Sequence, residues 1–268
     1  MKSPKELSLE RKLMLTVDEL SEPGKLLRLL IEDKEVQQMQ EYANSVSIVR
    51  LGFNDHGPVH MRQVCLNAIK MINLLQLGGI AGSLEQDHVG TSDDSLSAVI
   101  LASFLHDLGM AIGREDHELL SATLALPIVT RLLETVYPEN LQKRVIIRSI
   151  ALEGIVGHMA NRRIHSIEGG VILLADGCDM EKGRARIPLS IATDAKVGDI
   201  HKYSSNAIEK VLIDKGKARP IAIHITMSSE VGYFQVEEVL YPKLKMSPVK
   251  QYVELYAGIT GYDYKQYM

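Results

Sequence analysis

The chain has 268 residues, of which 46% are hydrophobic and 24% charged, as is typical of a soluble globular protein with a large core. Its formal net charge of -4 argues against non-specific nucleic-acid binding by the whole protein. No apolar segment follows the N-terminal charges, and no uninterrupted apolar run approaches the roughly 20 residues of a membrane span. Cys65 and Cys178 lack a metal-binding spacing. We therefore expect a cytoplasmic protein with reduced thiols and no membrane anchor.

The N-terminal segment 5–47 is charge-rich and predicts two amphipathic helices, broken near Pro23-Gly24. Leucines between residues 26 and 30 supply the apolar face of the second helix. We interpret residues 1–47 as a helical arm for packing or oligomerisation. The loop that follows is rich in Asn, Asp, Gly and Pro, and Pro58 suits the first turn of the next helix.

Residues 48–207 read as one helical domain. Apolar spacing predicts helices over about 59–77, from an N-cap at Ser92 or Asp93 to residue 105, over 117–133, over 140–156 and over 166–180. Histidines and aspartates stand at or near the ends of these helices, as they do when a helical bundle gathers side chains at one point in its core. These candidate ligands are His60, His106, Asp107, His117, His158 and Asp176.

The C-terminal segment 208–268 changes character and predicts a small α+β appendage. Residues 221–227 are rich in β-branched residues and predict a strand, and residues 233–240 predict its hairpin partner. A final helix is expected from Pro248 to about Gly258. The predicted fold class is therefore mostly α, with a small α+β appendage at the C-terminus.

The mixture of imidazole and carboxylate indicates the metal. It suits Mn, Fe, Co, Ni or Zn better than Ca or Mg, which prefer shells made only of oxygen. A single residue of this kind is commonly a helix cap or a buried histidine with its hydrogen bonds made. Six such residues together exceed the number of ligands that one metal needs. A carboxylate can bridge two cations, so we expect one or two divalent transition-metal ions. Asp55, His56 and Asp179 are candidates to orient a ligand or a water.

The order His, His-Asp, His, His, Asp resembles the HD-domain superfamily of metal-dependent phosphohydrolases over about residues 50–185. The matching motifs are H-M-R-Q-V at 60–64, L-H-D-L-G at 105–109 and L-A-D at 174–176. The resemblance implies that the first histidine, the His-Asp pair and the last aspartate hold one metal. It implies that His117 and His158 extend the site to a second metal.

The resemblance implies an HD-domain helical bundle that hydrolyses a phosphoester by metal-activated water, and we expect the phosphoester to be a nucleotide. Asp107, Arg62 and Arg114 are then the catalytic candidates. Many family members have a lysine directly after H-D-x-G, where this chain has Met110, and Arg114 is the candidate replacement. Guanidinium groups bind phosphate in a bidentate manner. The candidate substrate-binding residues are Arg162, Arg163, Lys182, Arg184 and Arg186.

Two other functions stay open. A minority of proteins with this six-ligand set are di-iron oxygenases that cleave C–C or C–P bonds with O₂, so O₂ consumption would identify that class. A regulatory module could instead bind a nucleotide without turnover and signal through residues 208–268. Signatures of cyclic-di-GMP phosphodiesterases and guanosine tetraphosphate hydrolases are absent from the sequence, so neither substrate is assigned. We expect a small phosphorylated substrate and, as the commonest assembly, a homodimer.

Overall fold

The computed structural model describes residues 2–184 and 200–268. The described chain is mostly helical and ends in a small four-stranded sheet, so the predicted fold class is confirmed at that level. Buried residues of the N-terminal helices, the helical body and the sheet form one continuous hydrophobic core.

The N-terminal segment forms three helices rather than the two predicted: α1 (Pro4–Met14), α2 (Glu22–Glu32) and α3 (Lys34–Ser45). Pro23 lies in the first turn of α2, where its missing N–H costs nothing, so it starts a helix instead of breaking one. Asp33 separates α2 from α3 because its carboxylate caps the N-terminus of α3. In the fold, α1 packs on helix α4 (Pro58–Leu77) and α2 packs on helix α6 (Ser92–Leu105).

The helical body follows the predicted order. It comprises α4, the single turn α5 (Ser83–Gln86), α6, α7 (His117–Val136), α8 (Leu141–Gly157) and α9 (Ile167–Gly177). Helix α6 is buried along most of its length and lies between α4 and α8. Its N-cap is Thr91 in a capping box with Asp94, not Ser92 or Asp93. Pro58 occupies the first turn of α4, as predicted.

Helix α7 is, among the described helices, the one long and apolar enough to cross a membrane by length and composition. One such helix is weak evidence, because core helices of soluble proteins meet the same criterion. In this fold α7 packs on α8 and begins at a buried histidine, His117.

The C-terminal unit contains α10 (Ile200–Ala207), β1 (Ile208–Lys215), β2 (Ile221–Met227), α11 (Tyr241–Met246), β3 (Val253–Ile259) and β4 (Lys265–Gln266). The strand order is β1-β2-β3-β4. Strand β2 pairs antiparallel with β1 and parallel with β3, and β3 pairs antiparallel with β4. The predicted strand β2 is confirmed.

Two predictions for this unit are wrong. Residues 233–240 are helical and include the π-helical turn Gln235–Leu240, because their buried residues Val236 and Leu240 are four apart, which is a helical spacing. The expected helix from Pro248 is instead strand β3, whose buried hydrophobic residues Val253, Leu255 and Ala257 recur every second position. The hairpin partner of β2 is therefore β1, whose interleaved charges face solvent.

Two glycines of α9 let the C-terminal unit lie directly against this helix. A Cβ atom on Gly170 would lie 2.8 Å from the Ser247 Oγ, and one on Gly177 would lie 2.9 Å from a Leu240 methyl carbon. The two glycines are seven residues apart, so they share one face of the helix. The close approach brings residues 240–248 beside the end of α9, which carries Asp176.

Candidate metal centre

All six predicted ligand residues meet inside the helical body. Their exposed fractions lie between 0% and 7%, so water is largely excluded from them. His60 comes from the first turn of α4, and Asp176 from the last turn of α9. The others lie at helix ends: His106 and Asp107 follow α6, His117 opens α7, and His158 follows α8.

The first group of donor atoms comprises His60, His106 and Asp176 together with one oxygen of Asp107. The Nε2 atoms of His60 and His106 are 3.2 Å apart. The His60 Nε2 lies 3.2 Å from Asp107 Oδ2 and 3.3 Å from Asp176 Oδ1. Two ligands that each lie about 2.1 Å from one ion, at roughly 90–109° to each other, are about 3.0–3.4 Å apart. Apart from His106 Nε2 and Asp176 Oδ1, which are 3.9 Å apart, these atoms have the spacing of the ligands of a single ion.

The second group uses the other oxygen of Asp107. Asp107 Oδ1 lies 3.3 Å from His117 Nε2 and 3.4 Å from His158 Nε2. The Nε2 atoms of these two histidines are 3.1 Å apart. Asp107 thus turns one carboxylate oxygen to each group, which is how a carboxylate bridges two cations.

The hydrogen bonds of the histidines fix which ring nitrogen is free to bind. The Nδ1 atoms of His106, His117 and His158 contact the backbone carbonyls of Ser103, Arg114 and Ile155, at distances between 2.6 and 3.0 Å. A carbonyl only accepts hydrogen bonds, so each of these Nδ1 atoms carries the proton. The neutral ring then has an unprotonated Nε2, which is the form that binds a metal.

His60 is oriented by a carboxylate instead of a carbonyl. Its Nδ1 donates to Asp179 Oδ2 at 2.7 Å, which is the orienting role predicted for that residue. His56 contacts the site through its ring, whose centroid lies 5.8 Å from that of His60. Four Nε2 lone pairs and the carboxylates of Asp107 and Asp176 therefore converge as acceptors. Such a cluster is stabilised by a cation, and these residues fit a divalent transition metal.

The ionisation of the cluster suits metal binding. Burial would raise the pKa of Asp107, but the neighbouring histidines, His106 foremost, attract the carboxylate when they are protonated and donate hydrogen bonds to it, which holds the pKa of Asp107 well below its usual range. Burial lowers the pKa of His158 from 6.5 to about 4. The aspartate is therefore ionised and this imidazole neutral at physiological pH, and both are ready to act as ligands.

Lys243 of α11 is a neighbour of the centre that sequence reasoning missed. Its ammonium group donates to Asp176 Oδ2, while Asp176 Oδ1 faces His60. Both side chains are buried. Burial would raise the pKa of Asp176, but Lys243, ahead of His60 and His106, holds it well below its usual range.

Arg62 does not have the catalytic role predicted for it. Its buried guanidinium donates to Glu10, Gln40 and Gln37 and to the carbonyl of Pro58. It also forms an ion pair with Glu6 at 3.3 Å. These contacts tie α4 to the N-terminal helices and use the donors that would have bound a substrate.

Arg114 lies next to the second group, since its own carbonyl accepts from His117. The guanidinium is half-buried, lies 5.6 Å from the centroid of the Phe53 ring, and contacts the sulfur atoms of Met110 and Met159 at 3.9 Å. In the described part of the chain no carboxylate pairs with it. The catalytic role predicted for Arg114 stays a prediction.

The other basic candidates stay predictions. The side chains of Arg162, Arg163 and Lys182 are exposed. Arg184 ends a short 3₁₀ turn, Lys182–Arg184, of which the structure describes the backbone at this residue but not the side chain. Arg186 lies outside the described residues.

The comparisons with known proteins give one relative. The chain is 41% identical over 230 residues to an uncharacterized protein of Methanocaldococcus jannaschii, and the alignment covers 86% of each chain. The two proteins belong to one family. No protein-family model and no solved structure matches the chain. Any inference about activity therefore depends on the chemistry of the metal centre itself.

Proposed function

We propose that the protein is a metal-dependent phosphohydrolase of the HD-domain superfamily that holds two divalent transition-metal ions and hydrolyses a phosphoester. The observation that carries the proposal is the position of the Asp107 carboxylate, which has one oxygen facing each group of histidines. Divalent ions held in such a pair activate water and stabilise the charge that develops on a phosphoryl oxygen.

The protein side chains have separate tasks in this proposal. Asp107 fixes the two groups relative to each other. The second group has three protein donors among the described residues, from Asp107, His117 and His158, which leaves positions for water and a substrate oxygen. Arg114 binds the phosphate, because a guanidinium makes two parallel hydrogen bonds to it. No protein nucleophile is required.

The substrate is a small phosphorylated molecule, with nucleotides as the favoured class. Phe53 is 40% exposed and lies beside the Arg114 guanidinium. An exposed aromatic ring next to a cation suits a ligand that combines a planar base with a phosphate group. The proposal thus places the base near Phe53 and the phosphate near Arg114.

The test combines metal analysis with an activity screen. The protein is loaded with Mn²⁺ or Fe²⁺, dialysed, and analysed for metal per chain beside a His117→Ala variant. His165→Ala, which changes an exposed histidine, is the matched control. Phosphate release is then measured on a panel of nucleoside monophosphates and other phosphomonoesters, together with O₂ consumption.

We expect two metals per chain in the wild type and in His165→Ala, about one in His117→Ala, and metal-dependent release of phosphate. O₂ consumption with Fe²⁺ and no phosphate release would replace hydrolysis by oxygenase chemistry. Tight nucleotide binding without turnover would instead assign the protein to the regulatory class. A protein that retains no metal would contradict the proposal altogether.

A further inference from the structure

The C-terminal unit reaches the candidate metal centre through the side chain of Lys243. Lys243 is 8% exposed, and its ammonium group contacts one oxygen of Asp176, a residue of the first group. The other oxygen of Asp176 lies 3.3 Å from His60 Nε2 and 3.9 Å from His106 Nε2. The two oxygens of this carboxylate thus have different partners.

The contact depends on features of both segments. Gly177 has no side chain, and a Cβ atom there would lie 3.3 Å from the Lys243 Cδ and 2.9 Å from Leu240. Ser247, which directly follows α11, donates to the carbonyl of Gly170. Gly170 lies nearer the start of α9, and Asp176 lies in its last turn. The chain therefore lies against α9 along its length, and the lysine is directed to the end of that helix.

We propose that Lys243 is a positioning residue that holds Asp176 with a single oxygen directed at the first metal. This inference rests on the metal centre of the proposed function. A carboxylate turns easily about its Cβ–Cγ bond, and its second oxygen would otherwise be buried without a partner, at a cost in free energy. The ammonium group occupies that oxygen and fixes the orientation of the other.

The consequence is that the C-terminal unit, although it contributes no metal ligand among its described residues, sets the metal affinity of the first group. Partners of metal ligands typically change metal affinity by about 10- to 100-fold when they are removed. The second group, built from His117 and His158, does not contact Lys243, so its affinity for metal should stay as it is.

The test is a titration of metal-free protein with Co²⁺, followed by equilibrium dialysis and by the visible absorption of the bound ion. The variant is Lys243→Met, which keeps the unbranched chain as far as the ε position and removes the ammonium group with its charge. The matched control is Lys245→Met on the same helix, since Lys245 is exposed and lies over the Tyr241 ring. Lys243→Arg tests whether a cation of another shape restores binding.

We expect Lys243→Met to weaken one of the two Co²⁺ sites by about 10- to 100-fold and to leave the other unchanged. Lys245→Met should match the wild type, and Lys243→Arg should recover part of the loss. If Lys243→Met does not fold, Lys243→Gln keeps a hydrogen-bond donor without the charge and is expected to weaken the same site.

Three results would overturn the inference: unchanged Co²⁺ binding in the Lys243 variants, tighter binding, or an equal loss at both sites. The first would make the contact irrelevant, the second would make Lys243 a competitor of the metal, and the third would indicate general misfolding. Failure of the proposed function can be told apart from failure of this inference. Two bound Co²⁺ ions without phosphate release would contradict the hydrolase, but the Co²⁺ titrations of the Lys243 variants would still test the role of Lys243. A wild type that binds no Co²⁺ contradicts both.

Discussion

The two halves of the metal centre are held in place by different parts of the protein. In the first group, charged side chains support two of the ligands, since Asp179 accepts from His60 and Lys243 donates to Asp176, while the carbonyl of Ser103 orients His106. In the second group, backbone carbonyls at helix ends orient His117 and His158. The first group also has an additional carboxylate, that of Asp176.

If each group holds one metal ion, as proposed, this difference assigns different tasks to the two ions. More carboxylate ligands bind a divalent cation more strongly, so the first group should fill first. The second group has fewer protein donors and the Arg114 guanidinium nearby, so it should exchange its metal more easily and receive the substrate.

Asp107→Asn should have the largest effect, because it removes the negative charge that both groups share. We expect loss of both metals and a fall in phosphoester hydrolysis of about 1000-fold or more, equivalent to several kcal/mol of transition-state stabilisation. Metal analysis and phosphate release measure this. Two metals retained at wild-type affinity would show that the groups do not depend on a shared carboxylate.

His158→Ala and His60→Ala compare the groups directly, since each removes one imidazole. His158→Ala should retain one tightly bound metal and lose the weaker one. His60→Ala should lose the tight metal. We expect hydrolysis to fall by at least about 100-fold in both variants. Elemental analysis after dialysis checks the order of affinities, and the reverse order would contradict the assignment of the tight site.

Asp179→Asn removes the negative charge that supports His60 while it keeps the size of the side chain. The tight metal should bind about 10- to 100-fold more weakly, because the Nδ1 proton loses its charged acceptor. The weaker site should not change, which a Mn²⁺ titration can show. An equal effect on both sites would mean that the carboxylate acts through the whole helical body.

Arg114→Met removes the cation next to the second group without changing a ligand. We expect the KM for a phosphoester to rise about 10-fold or more, with metal content unchanged, because a charge-assisted pair to phosphate is lost. Steady-state kinetics measure the KM, and elemental analysis measures the metal content per chain. A loss of metal instead would assign Arg114 to the structure of the centre.

Glu254→Gln is distant from both groups and should change stability alone. Burial would raise the pKa of Glu254, but the backbone N–H groups of Ala218 and Arg219, with the Tyr256 hydroxyl, lower it to about 2. The stabilisation is therefore complete above pH 4.5 and is lost as the pH falls towards 2.

We expect the variant to lose about 2 kcal/mol of unfolding free energy at pH 7 and little near pH 2, with metal content unchanged. Denaturant unfolding at both pH values measures this loss. An equal destabilisation at the two pH values would show that the ionised carboxylate is not the source of the stability.

The meeting of the six candidate ligands could be predicted from the sequence because each of them stands at the end of an apolar helix. Asp179 could be predicted in the same way, as it lies about one helical turn after Asp176. Arg62 was assigned wrongly, although a signal was present. It is two residues after His60, and two positions on a helix differ by about 200°, so the two side chains lie on opposite faces.

Lys243 could not be found in this way. It is 67 residues after Asp176 in the chain, and no local pattern connects the two. The segment before it was predicted to be a strand because β-branched residues and aromatics suggested one, whereas packing against α9 makes it helical. Because this segment was predicted to be a strand, nothing in the sequence placed Lys243 beside Asp176.

A crystal structure of the Mn²⁺-loaded protein, with anomalous scattering at the manganese edge, tests the two-metal centre most directly. We expect two peaks about 3.5–4 Å apart, one among His60, His106 and Asp176, the other between His117 and His158, with Asp107 between them. A single peak, or two peaks that do not share Asp107, would contradict it.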